Sequence, residues 1–312
     1  MSLLSTSKPV VLLFAGQGTS TVGMGADLWD INHTTRSIWD CASDITGKDL
    51  RRLCLKGPMN RLVQTSVQQI AVSVINTTLY TLWCEAATGV DIVGSCGHSV
   101  GEYSALYAAG ILSLEDMFRA VHYRAELMDE LSKCYKGSML AVKSLDYASL
   151  SALIADSDLP LEISCDNSNQ QQVIGGVPQL LNEFVPLLLQ QGCSSIKLGV
   201  SGAWHTALMS EGVEPMAQFL RGLQFNQPRH QVLMNVTAQP ASDADTIRRN
   251  LSLHLTHTVK WTDSMTHFLQ AETPCQFVEI SNKAYLTHLL HDYPMYKPDN
   301  GVHCRQLLSR MA

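Results

Sequence analysis

The chain's 312 residues are 46% hydrophobic and 16% charged, which gives enough apolar material for a sizeable packed core and too little charge for a disordered chain. A formal net charge of −6 argues against nucleic acid as the main partner, because neutralising phosphates needs a clustered basic surface. Nine scattered cysteines without a Cys-x-x-Cys pair fit reduced thiols rather than a disulfide framework. No apolar stretch is long enough for a membrane span, and residues 1–8 lack the basic start and apolar core of a secretory leader. A cytoplasmic protein is expected.

In chain order, Val10–Phe14 reads as a fully buried strand, ended by the tight loop Ala15-Gly16-Gln17-Gly18-Thr19. Helices are predicted over 37–42 and 69–85, the latter with apolar residues at helical spacing. A short strand through 91–96 leads into Gly97-His98-Ser99-Val100-Gly101 and then a helix-like run, 102–110. Another helix covers 115–131, with Ser113 as its N-cap and Glu115 and Asp116 at the positive end of its dipole. From about 136 to 198 the pattern changes to strand (137–142), helix (149–155), strand (161–165), strand (173–176), helix (180–191) and strand (194–198). That βαββαβ order is ferredoxin-like. Two further strands are predicted at 231–236 and Gln276–Ile280. Strands alternating with helices imply an α/β fold with a mainly parallel sheet covered on both faces. The expected division is a large α/β domain, 1–133 with 200–312, interrupted by a small ferredoxin-like insert, 134–199.

Gly97-His98-Ser99-Val100-Gly101 is a Gly-x-Ser-x-Gly pattern in a strand–turn–helix setting. Such a turn holds its serine in strained backbone geometry, with glycines letting strand and helix pass closely. The amides that follow, at a helix N-terminus, offer positive potential to a developing oxyanion. A serine hydroxyl is a weak nucleophile at neutral pH and needs a general base. Eleven histidines are available, and His205 in Gly202-Ala203-Trp204-His205 is the best candidate. It sits where the insert rejoins the large domain, an edge at which a cleft forms. Asp166 and Asp263 are open as acidic partners. His254/His257 and His288/His291 have helix-face spacing but no third ligand, so no metal is expected. Arg51, Arg52 and Lys56, or Lys133 and Lys136, are candidate basic patches for an acidic partner.

Phe14-Ala15-Gly16-Gln17-Gly18, Gly97-His98-Ser99-Val100-Gly101-Glu102-Tyr103-Ser104-Ala105, the Arg124 region and Gly202-Ala203-Trp204-His205 together resemble the malonyl-CoA:acyl-carrier-protein acyltransferase family, in order and spacing. The resemblance covers essentially the whole chain and implies an α/β-hydrolase-like large domain. It implies Ser99 as the acylated nucleophile, His205 as its base in a Ser–His dyad, and Gln17 with the Val100 N–H as the oxyanion hole. Arg124 then receives the free carboxylate of the acyl group, a task suited to a planar, permanently charged fork. Met128, Trp204, Gln69 and Asn167 are implied as further substrate-binding residues. Malonyl-CoA is the implied substrate, with no bound cofactor, and a phosphopantetheinylated acyl carrier protein is the partner of a monomeric enzyme. Membranes and nucleic acids are not implied. A thioester hydrolase of the same fold and a non-catalytic docking scaffold are the alternatives. The chain departs from the family at Trp204, where malonyl-selective members usually carry phenylalanine. It departs also at Val100 (leucine), Ala125 (glycine), Ile70 (proline) and the Ser281-Asn282 turn (Gly-Pro). At His254 the family commonly has a glutamine beside the catalytic histidine.

Overall fold

The computed structural model describes residues 8–18 and 20–308. Thr19 and nearly all of the 1–8 segment considered for a leader lie outside the described residues. The strands among these are, in chain order, β1 (Val10–Phe14), β2 (Ile92–Gly97), β3 (Ser138–Lys143), β4 (Glu162–Ser168), β5 (Gln171–Gly176), β6 (Ser194–Lys197), β7 (Gln231–Val232), β8 (Val259–Lys260), β9 (Gln276–Ile280) and β10 (Gly301–His303).

The first sheet runs β10-β9-β1-β2-β7, with every pairing parallel. β1 is buried along its whole length, as a central parallel strand covered on both faces must be. Phe14 pairs with Gly97 on one side and Ile280 on the other, so β1, β2 and β9 end level with one another. The carboxyl ends of such strands are where an open parallel sheet forms its crevice. The helix Thr65–Ala86 is buried nearly all round and begins before the predicted 69–85 span. Its Asn76 Nδ2–H donates to Ala15 O (2.9 Å), which fixes the loop leaving β1. The helix Leu114–Cys134 starts at the expected cap, where Ser113 Oγ accepts the Asp116 N–H at 3.0 Å. The helix His33–Thr46 extends past 37–42 at both ends: Asn32 and Thr35 close a reciprocal capping box at its start, and Gly47 at φ 63° ends it.

The second sheet runs β6-β3-β5-β4-β8. β3, β4, β5 and β6 pair antiparallel in the split order of a ferredoxin-like unit. Leu150 and Leu181, Phe184 and Leu188, from helices Tyr147–Asp156 and Pro178–Gln190, pack over Val142 and Ile174 in a separate small core. The fifth strand comes from outside the 134–199 segment, as β8 joins β4 in parallel. Two residues carry no periodicity from which a strand could be read. The 231–236 strand is cut short for a different reason. Only Gln231–Val232 pair with β2, after which Leu233 bridges Pro240 and Ala238 takes φ 53° in a tight reversal. That reversal frees Asn235 to bond elsewhere. Among the described residues no helix is long and apolar enough to cross a membrane.

The turn after β2 rests on two close backbone approaches. A Cβ on Gly97 would lie 2.0 Å from Gly101 carbonyl atoms, and one on Gly101 would lie 2.2 Å from Phe14 O. Neither neighbour is a side chain that could move aside. Gly97→Ala is therefore expected to cost at least the roughly 1–3 kcal/mol typical of overpacking, read as a lowered urea midpoint. An unchanged midpoint would contradict the close approach.

Candidate active site

Ser99 sits at the turn between β2 and the helix Gly101–Ala108 with φ 52°, a left-handed conformation that non-glycine residues seldom adopt. The conformation is held by Asn235, whose Nδ2–H donates to Gly97 O (2.7 Å) and whose Oδ1 accepts the Ser99 N–H (2.9 Å). The His98 N–H donates to Phe14 O at 2.9 Å, tying the turn to the end of β1.

Ser99 Oγ lies 2.8 Å from His205 Nε2. His205 Nδ1 lies 2.6 Å from the main-chain carbonyl of His254. A carbonyl oxygen only accepts, so Nδ1 carries the proton and the neutral ring presents a lone pair at Nε2 to the hydroxyl. Among the described residues no carboxylate bonds to His205. Asp166, within β4, instead accepts the Thr262 hydroxyl at Oδ1 (2.7 Å). His205 itself has φ 61° and is buried, so two strained residues face each other across the hydrogen bond. Burial is the first cause that holds the His205 imidazole well below its ordinary pKa of 6.5, followed by the proximity of His254 and Arg124.

Arg124 lies fully buried behind the serine. Its Nη2–H donates to Ser99 Oγ (3.3 Å), its Nη1–H to Gln69 Oε1, and its guanidinium carbon is 5.9 Å from the Tyr103 ring centre. Its Nε–H has no acceptor, and no carboxylate forms an ion pair with it among the described residues. A cleft of about 530 Å³ opens over Ser99 and His205, a volume in the usual range for small-molecule sites. Among the described residues no cluster of His, Cys, Asp and Glu could hold a metal ion.

Residues 11–307 match the acyl transferase domain family. The Bacillus subtilis polyketide biosynthesis malonyl CoA-acyl carrier protein transacylase PksC is 31% identical over 286 residues, covering 90% of this chain and 96% of its own. The chain belongs to this acyltransferase family. It is also similar to a quarter (24%) of the Burkholderia thailandensis polyketide biosynthesis protein ThaF, with 36% identity over 89% of this chain. Among solved structures, the Coxiella burnetii malonyl CoA-acyl carrier protein transacylase superposes with a TM-score of 0.90 at 25% identity, covering 97% of this chain and 96% of that one. A malonyl-transacylase solved in complex with its type II polyketide acyl-carrier protein gives 0.87 at 28% identity, covering 95% and 94%.

Around this acyltransferase site the residues read from the sequence fall into two groups. Gln17, Ser99, Asn167, Trp204 and His205 line the cleft. The Gln17 side chain donates to Gln68 Oε1 (2.8 Å), and Gln68 in turn donates to Ser20 Oγ (3.2 Å), so its loop is braced. Asn167 Oδ1 accepts from His98 Nε2 at 2.7 Å. The Trp204 ring lies on Gly202, where a Cβ would come within 2.4 Å of it, which explains the glycine two residues before it. Gln69, Met128 and Arg124 lie behind the wall: Gln69 Nε2–H faces Met128 Sδ at 3.4 Å while its oxygen holds Arg124. Gln69 is thus linked to Ser99 through that arginine, and Met128 to Gln69. Sequence reasoning missed Asn235 and the part played by Glu102, which takes the Asn235 N–H. Asn235 stood inside an apparent apolar strand, and only a polar residue at a buried strand position hinted at it.

Only a neutral imidazole can accept a proton from the Ser99 hydroxyl, and a pKa held below 6.5 keeps His205 neutral as pH falls through that value. Labelling of Ser99 by a fluorophosphonate is expected to keep its pH 7.5 rate within about twofold down to about pH 6. A rate that halves near 6.5 would contradict the environment described for His205.

Proposed function

We propose that the chain moves a malonyl group from CoA to the phosphopantetheine thiol of an acyl carrier protein, through an acyl intermediate on Ser99. The observation that carries this reading is the buried Arg124 guanidinium, 3.3 Å from the serine hydroxyl and forming no ion pair with a carboxylate among the described residues. A buried cation is costly unless paired, and a substrate ending in a carboxylate supplies the missing charge. Relatives bearing the malonyl transacylase name, and the carrier-protein complex of one structural neighbour, support both donor and acceptor.

In the first step His205 Nε2 takes the Ser99 proton as Oγ attacks the thioester carbon. The His254 carbonyl keeps the imidazole in the right tautomer and stabilises the imidazolium, the task a carboxylate performs in a three-residue triad. The N–H of Val100, at the first turn of the helix Gly101–Ala108, and that of Gln17 receive the oxyanion. No described group accepts the Val100 N–H in the resting protein. The tetrahedral intermediate collapses as the C–S bond breaks, and the His205 imidazolium protonates the departing CoA thiolate. In the second step the carrier's thiol gives its proton to His205 and attacks the Ser99 ester. The oxygen returns as a hydroxyl and the malonyl thioester leaves. Arg124 holds the malonate carboxylate by a charge-assisted fork throughout. Trp204 bounds the same cleft.

Intact-mass measurement after mixing with malonyl-CoA is expected to show a malonyl adduct that Ser99→Ala abolishes. Arg124→Ala is expected to lower malonyl loading by about a hundredfold or more, the size of losing a charge-assisted pair, and acetyl loading far less. Equal loss for both donors would remove the carboxylate role, and free malonate as the main product with carrier present would indicate a hydrolase.

A further inference from the structure

The two steps above leave unused a buried carboxyl–imidazole pair directly behind the base. Glu102 lies on the first turn of the helix Gly101–Ala108, and His254 caps the helix Ala244–Leu253; their side chains are 1% and 0% exposed. Glu102 Oε2 is 2.8 Å from His254 Nδ1. Neither Glu102 Oε2 nor either ring nitrogen of His254 has another hydrogen-bond partner among the described residues. Oε1 of the same carboxyl group accepts the Asn235 N–H at 2.6 Å. Asn235 is the residue that clamps the turn carrying Ser99, and His254 supplies the carbonyl that orients His205. The two imidazoles lie 4.7 Å apart between centres, tilted by 32°. One carboxyl group therefore touches the anchor of the nucleophile and the anchor of the base.

We infer that Glu102 and His254 are positioning residues that share one buried proton, and that this proton holds the Ser99 turn in register with the His205 ring. The inference rests on the reading of Ser99 and His205 as nucleophile and base. Without a proton between them, a carboxylate oxygen and a nitrogen lone pair at 2.8 Å repel; with one they bond, and placing it on Nδ1 of an otherwise neutral ring would leave a full carboxylate charge buried at Glu102. Separating the charges into carboxylate and imidazolium is disfavoured where water is excluded. Burial pushes the Glu102 carboxyl up to about 8, against weaker opposing effects of Asn235 and Arg124, and holds the His254 imidazole well below its usual value. At neutral pH the acid O–H of Glu102 donates to His254 Nδ1, and the carbonyl oxygen remains free for the Asn235 N–H. The charged and titratable groups facing the pair are Arg124 from the helix Leu114–Cys134, Cys96 from β2, Tyr103 beside Glu102, His98 and His205 across the site, and His257 beyond His254. An imidazolium at 254 would stand next to His205 at the moment it gains the serine proton, and would oppose it. The neutral pair adds no such charge.

Glu102→Gln is the decisive variant, because its amide carbonyl accepts the Asn235 N–H and its amide N–H donates to His254 Nδ1 as the acid does. Its kcat for malonyl loading at pH 7 is expected to stay within about threefold of wild type. Glu102→Ala, which frees both anchors, is expected to lose about a hundredfold in kcat, the scale of a misplaced reacting group, with KM within about threefold. An infrared pH titration, which needs no substrate, is expected to show a protonated-carboxyl band in wild type that vanishes with a midpoint near 8 and is missing in Glu102→Gln. A folded Glu102→Gln enzyme as slow as Glu102→Ala overturns the inference, and so does a band that is absent from wild type or survives the substitution. A wild-type protein that never acylates Ser99 removes the functional reading instead, while the infrared result still decides where the proton lies.

Discussion

The left-handed backbone at Ser99 is the constraint on which the site depends. A non-glycine residue held there costs on the order of 1–3 kcal/mol and persists only when its surroundings leave no alternative. Here the surroundings are backbone against backbone: Gly97 against Gly101, Gly101 against Phe14, and the His98 N–H on Phe14 O. Asn235 adds two hydrogen bonds on the approach to the strained residue, one to Gly97 O and one from the Ser99 N–H. The strain lifts the hydroxyl off the end of β2 and points the following amides at the same space. Level strand ends at Phe14, Gly97 and Ile280 then place that space in the crevice between the two sheets' territories.

Arg124 adds a buried positive charge to a site whose electrostatics burial sets first. Arg124 disfavours an imidazolium at His205, and the same charge favours an alkoxide at Ser99, to which it donates. For a proton moving from Ser99 to His205, as proposed, these two effects would oppose each other. Binding a carboxylate to Arg124 relaxes both. The arginine's own desolvation is offset only in part by Gln69 and by the Tyr103 face, which leaves it poised for an anionic ligand.

Much of this was legible from the chain because local chemistry dictated it. The continuous apolar run Val10–Phe14 could only be a strand buried on both faces, and the Ser113 cap and glycine-framed serine carried their own geometry. The βαββαβ segment announced itself by its change of period. What escaped depended on distant partners. β8 has two residues, and the truncation of β7 follows from the bonds Asn235 makes to Glu102 and the Ser99 turn. His254 drew notice as a departure, and its main-chain carbonyl holds the His205 ring whatever its side chain; the side chain's meaning emerges only with Glu102 beside it. Gln69 and Met128 read as pocket residues by position; in the structure Gln69 Oε1 holds Arg124 and its Nε2–H faces Met128 Sδ, a connection no sequence pattern shows.

The most direct test of the central claim is a crystal structure of the malonylated protein. The ester should be on Ser99 Oγ, its carbonyl oxygen at the Val100 and Gln17 amides, and its free carboxylate within hydrogen-bond distance of the Arg124 guanidinium. A malonyl chain turned away from Arg124, toward solvent or the Trp204 wall, would contradict the account.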